Sequence, residues 1–413
     1  MPDYARPYDA LIAGEPEAAL ALYEKRRTAM LGQPNQMHNW ARLLCGVGRR
    51  SEAEFLFEPL SQTEDHAMFV AGQRLIERLE AGLSPAHALQ ETPLGLAETH
   101  REAIAAAMAE FDIARPPAAS RHIAICGVSF CGSTLMDLLL EGLPGVASIG
   151  ESVWLTLNWV GGGPGPRNFS EPRGKGVQQC NYCGHECEFL TPHFRTALGL
   201  NPIDWYPRIA EQLRTKVLVS ADKNLPKIVL YEPLLRLEAL IVFKSPKQAW
   251  ASNYTKMAKD LGDQAYFDAL VKYMTVWKEA YSDLTHNFKP QGRKVFLDFD
   301  RFADAPEDGF RSLARRLDLE YDPTALTSPS PGHSLGGNSN ALRKVKTAGH
   351  RPDVRPLGEP AIPADHAAWI DSQEHLTALH AAMRERSEEV PAAQAPTRAS
   401  ALNPRTWLRA LRT

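Results

Sequence analysis

The residues best suited to bind an anion lie in one short stretch, GVSFCGST, at positions 127–134. An apolar run precedes this stretch and leucines at helical spacing follow it, so the sequence predicts a strand, a tight glycine loop and a helix. Such a loop directs backbone N–H groups and the positive end of the helix dipole at one point, where Ser133 and Thr134 add hydroxyls. The stretch therefore predicts a phosphate or sulfate site.

The loop has the spacing G-x-x-x-x-G-S-T, which is that of the nucleoside-triphosphate P-loop with Ser133 in place of the lysine. That lysine normally neutralises the β- and γ-phosphates, so its loss argues against kinase or ATPase chemistry. The alternative is an ordinary strand-to-helix turn, in which the glycines serve only close packing.

Composition and charge exclude several classes of function. The 413 residues carry a net charge of −3, so the whole chain gives no electrostatic argument for binding nucleic acid or a membrane. The first residues show no basic segment followed by an apolar core, and the sequence has no run of about 18 apolar residues. We therefore expect a cytoplasmic protein of two or three domains without a transmembrane segment.

Residues 1–114 are rich in Ala, Leu and Glu and predict an all-helical domain. The segment that begins at Gly14 matches the segment that begins at Gly48 at an offset of 34 residues, and Gly82 continues the phase. This period resembles the tetratricopeptide repeat, whose stacked helices offer a concave surface to a peptide or partner protein. The alternative is an extension that docks on the next domain and stabilises it.

A proline-rich break at 115–120 predicts a linker between the helical region and the rest of the chain. Beyond it, strand-like and helical segments alternate, which predicts an α/β domain over 121–385: a parallel sheet flanked by helices, with its ligand site at the carboxyl ends of the strands. Pro and Ala accumulate over 386–413, where we expect a disordered tail. The predicted strands are 122–126, 217–220, 240–243 and 294–299, and the predicted helices include 248–259, 266–286 and 306–317.

Four separated motifs, in the right order, resemble those of sulfotransferases that use 3′-phosphoadenylyl sulfate, a family with a P-loop-related α/β fold. The first motif starts in the glycine loop and reads FCGSTL at 130–135, LPGV at 143–146 and GE at 150–151. It is similar to the family's loop for the 5′-phosphosulfate group, which a leucine-rich helix, a proline-glycine turn and a Gly-Glu pair follow.

The other three motifs lie later in the chain. FKSPK at 243–247, with Ser252 eight residues after its lysine, resembles the segment that holds the nucleotide 3′-phosphate. FDRFADAP at 299–306 is similar to an architectural strand-to-helix corner, and HSLGGN at 333–338 with Arg343 resembles the late segment that closes over the cofactor. Together the motifs cover roughly residues 120–345.

The resemblance implies a role for each matching residue. Sulfuryl transfer requires anion-binding donors, a cation at the bridging oxygen and a base for the acceptor proton. Lys223 is the candidate that stabilises the leaving group, and Glu151 is the candidate general base. The alternatives are a solvated surface lysine for the first and a helix-capping carboxylate for the second. The donor-binding candidates are Gly127, Cys131, Gly132, Ser133 and Thr134 at the phosphosulfate, and Lys244, Ser252 and Arg343 at the 3′-phosphate.

Several residues depart from the family pattern. Phe130 stands where Arg or Lys is usual, Lys244 replaces Arg and loses its bidentate fork, and Ser245 replaces Asp. Cys131 sits at a helix N-terminus, where a thiol pKa tends to fall; it is either redox-sensitive or a small residue tolerated for packing. These departures leave a divergent active transferase or a related fold that has lost or altered its donor. We favour the first because the catalytic candidates remain.

Residues 154–193 form a cysteine-rich insertion, which we expect to cover the acceptor as a lid. Three thiols, Cys180, Cys183 and Cys187, together with His193 could complete a tetrahedral structural zinc site. Reduced thiols or a disulfide between two of them are the alternatives, and an iron–sulfur cluster is less favoured because three bunched cysteines do not imply one.

The leading functional interpretation is an enzyme that transfers a sulfuryl group to a hydroxyl or amine of a peptide, glycan or metabolite. The helical repeats favour a peptide or carrier-bound acceptor, since a concave helical surface suits an extended chain. The alternative is a non-catalytic binding or scaffold protein that uses the repeats and carries a degenerate nucleotide-binding domain.

Overall fold

Five parallel strands form the centre of the molecule and run in the spatial order β2-β3-β1-β4-β5. The strands are β1 (Arg121–Cys126), β2 (Val146–Ser148), β3 (Val217–Ser220), β4 (Leu237–Phe243) and β5 (Lys294–Asp298). Helices flank the sheet, so the predicted fold class is confirmed. The computed structural model describes residues 3–31, 33–57, 72, 74–91, 98–113, 115, 118, 120–151, 180, 183, 187–200, 205–223, 237–257, 263–290, 292–327, 332–334 and 354–389.

The strands are apolar because both faces of the sheet are covered. All seven residues of β4 are buried, and five of the six residues of β1 are. Continuous Val, Ile and Leu runs are typical of parallel strands packed between helices. The short edge strand β2 begins at the end of the LPGV segment, where the sequence pattern does not predict a strand.

The order of the strands creates a crevice at the carboxyl end of β1. The chain passes from β1 towards one edge of the sheet, returns through β3, and then crosses β1 to form β4 on its other side. Loops that leave adjacent strands in opposite directions open a crevice between them, which is the usual ligand site of such sheets.

The helices described in the chain are α1 (Pro7–Ile12), α2 (Pro16–Lys25), α3 (Arg27–Met30), α4 (Pro34–Gly46), α5 (Arg50–Phe57), α6 (Pro85–Glu91), α7 (Glu98–Phe111), α8 (Ser133–Glu141), α9 (Pro192–Leu200), α10 (Trp205–Gln212), α11 (Pro246–Met257), α12 (Asp263–Ser282), α13 (Phe299–Asp304), α14 (Pro306–Arg316), α15 (Ala364–Asp371) and α16 (Glu374–Glu388). A π-helical turn, Asp283–Asn287, extends α12. Within the described ranges, no helix is long and apolar enough to cross a membrane.

The described elements before residue 114 are all helices, as predicted. Gly14, Gly48 and Gly82 have left-handed φ angles of 76°, 82° and 88°. After each, the next residue donates its N–H to the carbonyl five positions earlier, which is the helix-ending pattern that favours glycine. The 34-residue period therefore marks three equivalent helix ends, and the tetratricopeptide arrangement itself stays a prediction.

The helical region and the α/β domain share one hydrophobic core. Leu11, Leu44 and Ile104 belong to the same buried cluster as Trp205 on α10 and Leu218 on β3. This continuity favours the interpretation that the helices dock on the α/β domain as an extension.

Polar contacts join the two regions across the proline-rich break. The buried guanidinium of Arg208 donates to the Ile113 carbonyl at 2.8 Å, and Arg115 pairs with Glu211 at 2.6 Å. Side chains of α10 thus bind the end of the helical region and the beginning of the proline-rich break to the α/β domain.

The carboxyl end of the α/β domain differs from the expectation. Helix α16 continues to Glu388, past the predicted start of the tail at 386, because Arg386 is held in place by its contacts. Its Nη1 donates to the Thr285 carbonyl at 2.8 Å, and its guanidinium lies 5.6 Å from the centre of the Phe296 ring. Residues 390–413, Arg343 and most of the cysteine insertion lie outside the described residues.

Candidate active site

Four of the five strands of the sheet end next to a predicted site residue. Gly127 follows β1, Glu151 lies three residues after β2, Lys223 three residues after β3, and Lys244 directly after β4. Asp300 lies two residues after β5. Because all five strands are parallel, these residues gather at one edge of the sheet.

The two glycines of the loop are required by close contacts. A Cβ at Gly127 would lie 2.6 Å from the Val242 carbonyl oxygen, and a Cβ at Gly132 would overlap the Phe299 ring. Gly132 precedes α8 with a left-handed φ of 105°. Ser133 and Thr134 follow in the first turn and are buried. The loop thus presents the backbone of a helix N-terminus to the crevice, which suits an anion.

Two tyrosines of α12 brace the glycine loop, and sequence reasoning did not find them. The Tyr281 hydroxyl donates to the Val242 carbonyl at 2.7 Å and accepts the Val128 N–H at 3.5 Å. The Tyr273 hydroxyl donates to the Ser129 carbonyl at 2.9 Å. Burial raises the pKa of both phenols, so they stay protonated donors. Their spacing, eight residues on one helix face, was the only sequence signal.

Phe130 and Lys223 share an unusual backbone conformation at the edge of one cavity. Their φ angles are 68° and 60°, in the left-handed region that costs a residue with a Cβ roughly 1–2 kcal/mol. Strained residues of this kind cluster at functional sites. The cavity has a volume of about 610 Å³, and its lining includes Tyr8, Val128, Phe130, Lys223, Tyr273 and Val276.

The two predicted catalytic residues are in direct contact. The Lys223 ammonium donates to Glu151 Oε1 at 2.6 Å, and both side chains are less than one quarter exposed. The neighbouring Asp222 accepts a hydrogen bond of 2.9 Å from the Tyr206 hydroxyl. The crevice therefore holds a cation and a carboxylate side by side at the ends of β3 and β2.

A buried hydrogen-bonded chain positions the segment that carries Glu151. The Ser148 hydroxyl donates to Asp137 on α8 and accepts the Gly150 N–H at 3.1 Å. Burial raises the pKa of Asp137 well above its usual range. This chain links the helix of the glycine loop to the end of β2, and no motif in the sequence indicated it.

The predicted 3′-phosphate residues also meet. The Lys244 ammonium donates to the Ser252 hydroxyl at 3.0 Å and lies 4.9 Å from the centre of the Phe299 ring. Burial lowers the pKa of Lys244, while Cys131 and Asp300 act in the opposite direction. The Ser245 N–H donates to Asp300 Oδ2 at 2.9 Å, so that carboxylate shapes the turn after β4. Arg343 falls outside the described residues.

Cys131 is a packing residue in this structure. Its side chain is 1% exposed, and burial raises the pKa of its thiol despite the nearby helix N-terminus and the cations Lys223 and Lys244. The expectation of a lowered pKa fails because desolvation outweighs those charges. Of the two interpretations of Cys131, the structure favours the small residue tolerated for packing.

The cysteine cluster gathers around His333 instead of His193. The thiols of Cys180, Cys183 and Cys187 lie 3.7, 3.6 and 3.3 Å from His333 Nδ1. His193 lies on α9 with its Nδ1 3.3 Å from Glu110. The spacing in the sequence predicts His193 as the fourth ligand, because it lies close to the three cysteines in the chain. In the structure the fourth group is His333, which lies about 150 residues further along the chain. The five cysteines whose side chains are described are free thiols.

Comparisons with known proteins add one structural likeness. No family model and no curated protein matches the chain. One similar solved structure is a sulfotransferase domain. It is the sulfotransferase domain of the olefin synthase from Synechococcus PCC 7002, 14% identical, with a TM-score of 0.43 over 67% of this chain and 97% of that one. A likeness this distant does not by itself assign a function, so the site residues have to support one.

Proposed function

We propose that this chain is a sulfotransferase that moves a sulfuryl group from 3′-phosphoadenylyl sulfate to a hydroxyl or amine acceptor. The observation that carries the proposal is the contact between Lys223 and Glu151 at 2.6 Å, beside a glycine loop that lacks the P-loop lysine. A cation and a base next to an anion-binding loop are what sulfuryl transfer needs.

The donor-binding roles follow from the positions of the candidates. The loop amides with Ser133 and Thr134 would hold the 5′-phosphosulfate at the N-terminus of α8. Lys244 and Ser252, joined at 3.0 Å, would hold the 3′-phosphate. The motifs of the sulfotransferase family support this division, since they match these same positions.

The chemical roles follow from charge. The Glu151 carboxylate takes the proton of the acceptor hydroxyl as the acceptor oxygen forms its bond to sulfur. The bond from sulfur to the bridging oxygen breaks, and the Lys223 ammonium stabilises the negative charge on the departing phosphate. Before substrate binds, the ion pair keeps both side chains aimed at the same crevice.

The acceptor would enter through the cavity beside Phe130 and Lys223. Its walls are largely apolar and aromatic, so it suits an acceptor with an apolar body near the reactive group. Tyr8 of the N-terminal helices forms part of the wall, which connects the helical region to acceptor binding.

The test uses two ligands and two variants. We expect the wild type to bind adenosine 3′,5′-bisphosphate in a calorimeter and to bind ATP far more weakly. With the donor and a set of hydroxyl and amine acceptors, Glu151→Gln should lose about 10²–10⁴-fold in transfer rate, since a general base contributes that much. Its affinity for the bisphosphate should be unchanged.

The control is Glu307→Gln, which makes the same change on the exposed surface of α14. It should retain both binding and transfer. Absence of bisphosphate binding by the wild type would contradict the proposal and favour a scaffold protein with a degenerate nucleotide site. Full transfer by Glu151→Gln would remove the base from the mechanism.

A further inference from the structure

Three thiols and one imidazole nitrogen converge at a point that the proposed reaction does not use. The three Sγ–Nδ1 distances are 3.7, 3.6 and 3.3 Å, and all four atoms lie within 4.8 Å of one another. A tetrahedral zinc ion with bonds of about 2.3 Å to sulfur and about 2.0 Å to nitrogen separates its sulfur and nitrogen ligands by about 3.5 Å. The three sulfur–nitrogen distances thus match those of a zinc ligand set.

Backbone and ring contacts orient the groups of the cluster. The Cys183 N–H donates to the Cys180 sulfur at 3.5 Å, and the Leu190 N–H donates to the Cys187 sulfur at 3.4 Å. Backbone donors of this kind orient a sulfur ligand. The His333 ring packs against Phe189 with ring centroids 4.4 Å apart, which directs Nδ1 at the thiols.

Hydrogen bonding or a disulfide explains this geometry less well. One imidazole nitrogen carries a single proton or a single lone pair, so it satisfies one thiol and not three. A disulfide would join two sulfurs and leave the third beside the ring, and all three cysteines are free thiols. A single cation at the centre satisfies all four groups at once.

We infer that Cys180, Cys183, Cys187 and His333 bind a structural zinc ion. Thiolate and imidazole ligands select zinc over magnesium or calcium. Four protein ligands leave no open position for water, so the site is closed and its role is structural. His333 begins the HSLGGN segment, which resembles the segment that closes over the cofactor in sulfotransferases. The proposed reaction assigns no role to His333 or to the three cysteines, so the inference does not depend on the proposed function.

The position of the ligands shows what the metal would connect. Cys180 and Cys187 lie in the core shared with the N-terminal helices. Gly332, which precedes the ligand His333, packs so closely against α8 that a Cβ at this position would overlap the Glu141 carboxylate. Zinc would therefore fasten the cysteine insertion to the chain that packs against the helix of the glycine loop.

The experiment measures metal in the full chain. We expect about one zinc per chain by elemental analysis, and cobalt exchanged into the site should show the absorption bands of a tetrahedral, thiolate-rich complex. His333→Ala should weaken zinc binding by more than the roughly 10–100-fold that loss of an outer-sphere partner causes. His333→Cys should retain zinc, because four cysteines are also a closed zinc set.

The matched control is His193→Ala, which removes the nearby histidine that pairs with Glu110. It should keep the full zinc content. If His333→Ala fails to fold, the wild type provides the test. Cys183 is exposed, so an alkylating reagent can reach it. Bound zinc should protect its thiol, so alkylation should modify Cys183 only after a chelator removes the metal. Wild-type protein that takes up no zinc, or in which Cys183 reacts equally with and without the chelator, would overturn the inference. Loss of zinc in His193→Ala with retention in His333→Ala would overturn the ligand set.

Discussion

Replacing Lys244 by Met should weaken nucleotide binding and at the same time stabilise the protein without nucleotide. The ammonium is buried, and among the described residues no carboxylate forms an ion pair with it. Ser252 accepts its one side-chain hydrogen bond at 3.0 Å and also donates to the Gln248 carbonyl at 2.9 Å. Removal of the charge therefore leaves Ser252 with a partner.

The two effects have different magnitudes. A charge-assisted hydrogen bond contributes about 1.5–3 kcal/mol, and a unit charge pair at about 4 Å contributes about 4 kcal/mol at an effective dielectric constant of about 20. We expect a loss of about 2–4 kcal/mol in binding adenosine 3′,5′-bisphosphate, which is roughly a 30- to 900-fold increase in Kd. Replacing a buried charge by an apolar group should raise the free energy of unfolding by about 1–4 kcal/mol.

The pH dependence provides a second check. The folded-state pKa of Lys244 is lowered by burial, so the buried ammonium destabilises the native state below that pKa. This destabilisation fades as the pH rises from the folded-state pKa to the unfolded-state pKa. The stability advantage of Lys244→Met should therefore be full below the folded-state pKa of Lys244 and shrink as the pH rises towards the unfolded-state pKa, where wild-type binding of the bisphosphate also weakens.

Denaturant unfolding and titration calorimetry measure both quantities on the same samples. The control is Lys247→Met, whose exposed ammonium pairs with Asp371 at 2.7 Å. It should change the free energy of unfolding by at most about 1 kcal/mol and leave Kd unchanged. An unchanged Kd for the bisphosphate in Lys244→Met would refute the placement of the 3′-phosphate. A lower free energy of unfolding in Lys244→Met would refute the argument that the buried Lys244 charge destabilises the folded protein.

Two further predictions concern the glycine loop. Gly132→Ala should lower the free energy of unfolding by about 2–5 kcal/mol, because the added Cβ is strained by the left-handed φ and overlaps the Phe299 ring. Gly145 also has a left-handed φ but has open space around it, so Gly145→Ala should lower the free energy of unfolding by only about 1–2 kcal/mol. Equal losses in denaturant unfolding would contradict the packing argument. Tyr281→Phe removes a buried hydrogen bond and should cost about 1–3 kcal/mol and weaken bisphosphate binding. Tyr273 is partly buried, but its hydrogen bond to Ser129 lies nearer to solvent, so Tyr273→Phe should cost about 1 kcal/mol or less by the same measurements.

Much of the fold could be predicted from local patterns. The strand, glycine loop and helix at 121–141 follow from an apolar run, two glycines and spaced leucines, and β3 has the predicted limits 217–220. Parallel strands carry their carboxyl ends to one edge, so residues far apart in sequence, such as Glu151 and Lys223, could be expected to lie near each other. Their direct contact agrees with that reasoning, while their catalytic roles stay predictions.

The remainder depends on contacts that local patterns do not encode. His333 joins the thiols across about 150 residues, and the spacing of a metal motif is informative only when its ligands are close in sequence. Burial of Cys131 reversed the pKa shift that its place at a helix N-terminus predicted, because the sequence does not show how closely the loop packs against Phe299. The Asp137–Ser148 contact likewise exists only once α8 lies against β2.

The shared core has a consequence for how this chain could be divided or recombined. The change in composition at 115–120 suggests a domain boundary. However, Phe111 packs against Phe194 with ring centroids 5.2 Å apart. Both residues contact the hydrophobic cluster that also contains Leu218 of the central sheet. A fragment that started at the first strand would expose the apolar side of α9 and α10 to water. The N-terminal helices are therefore better regarded as part of the same folding unit as the α/β domain than as a separate domain that could be exchanged for another.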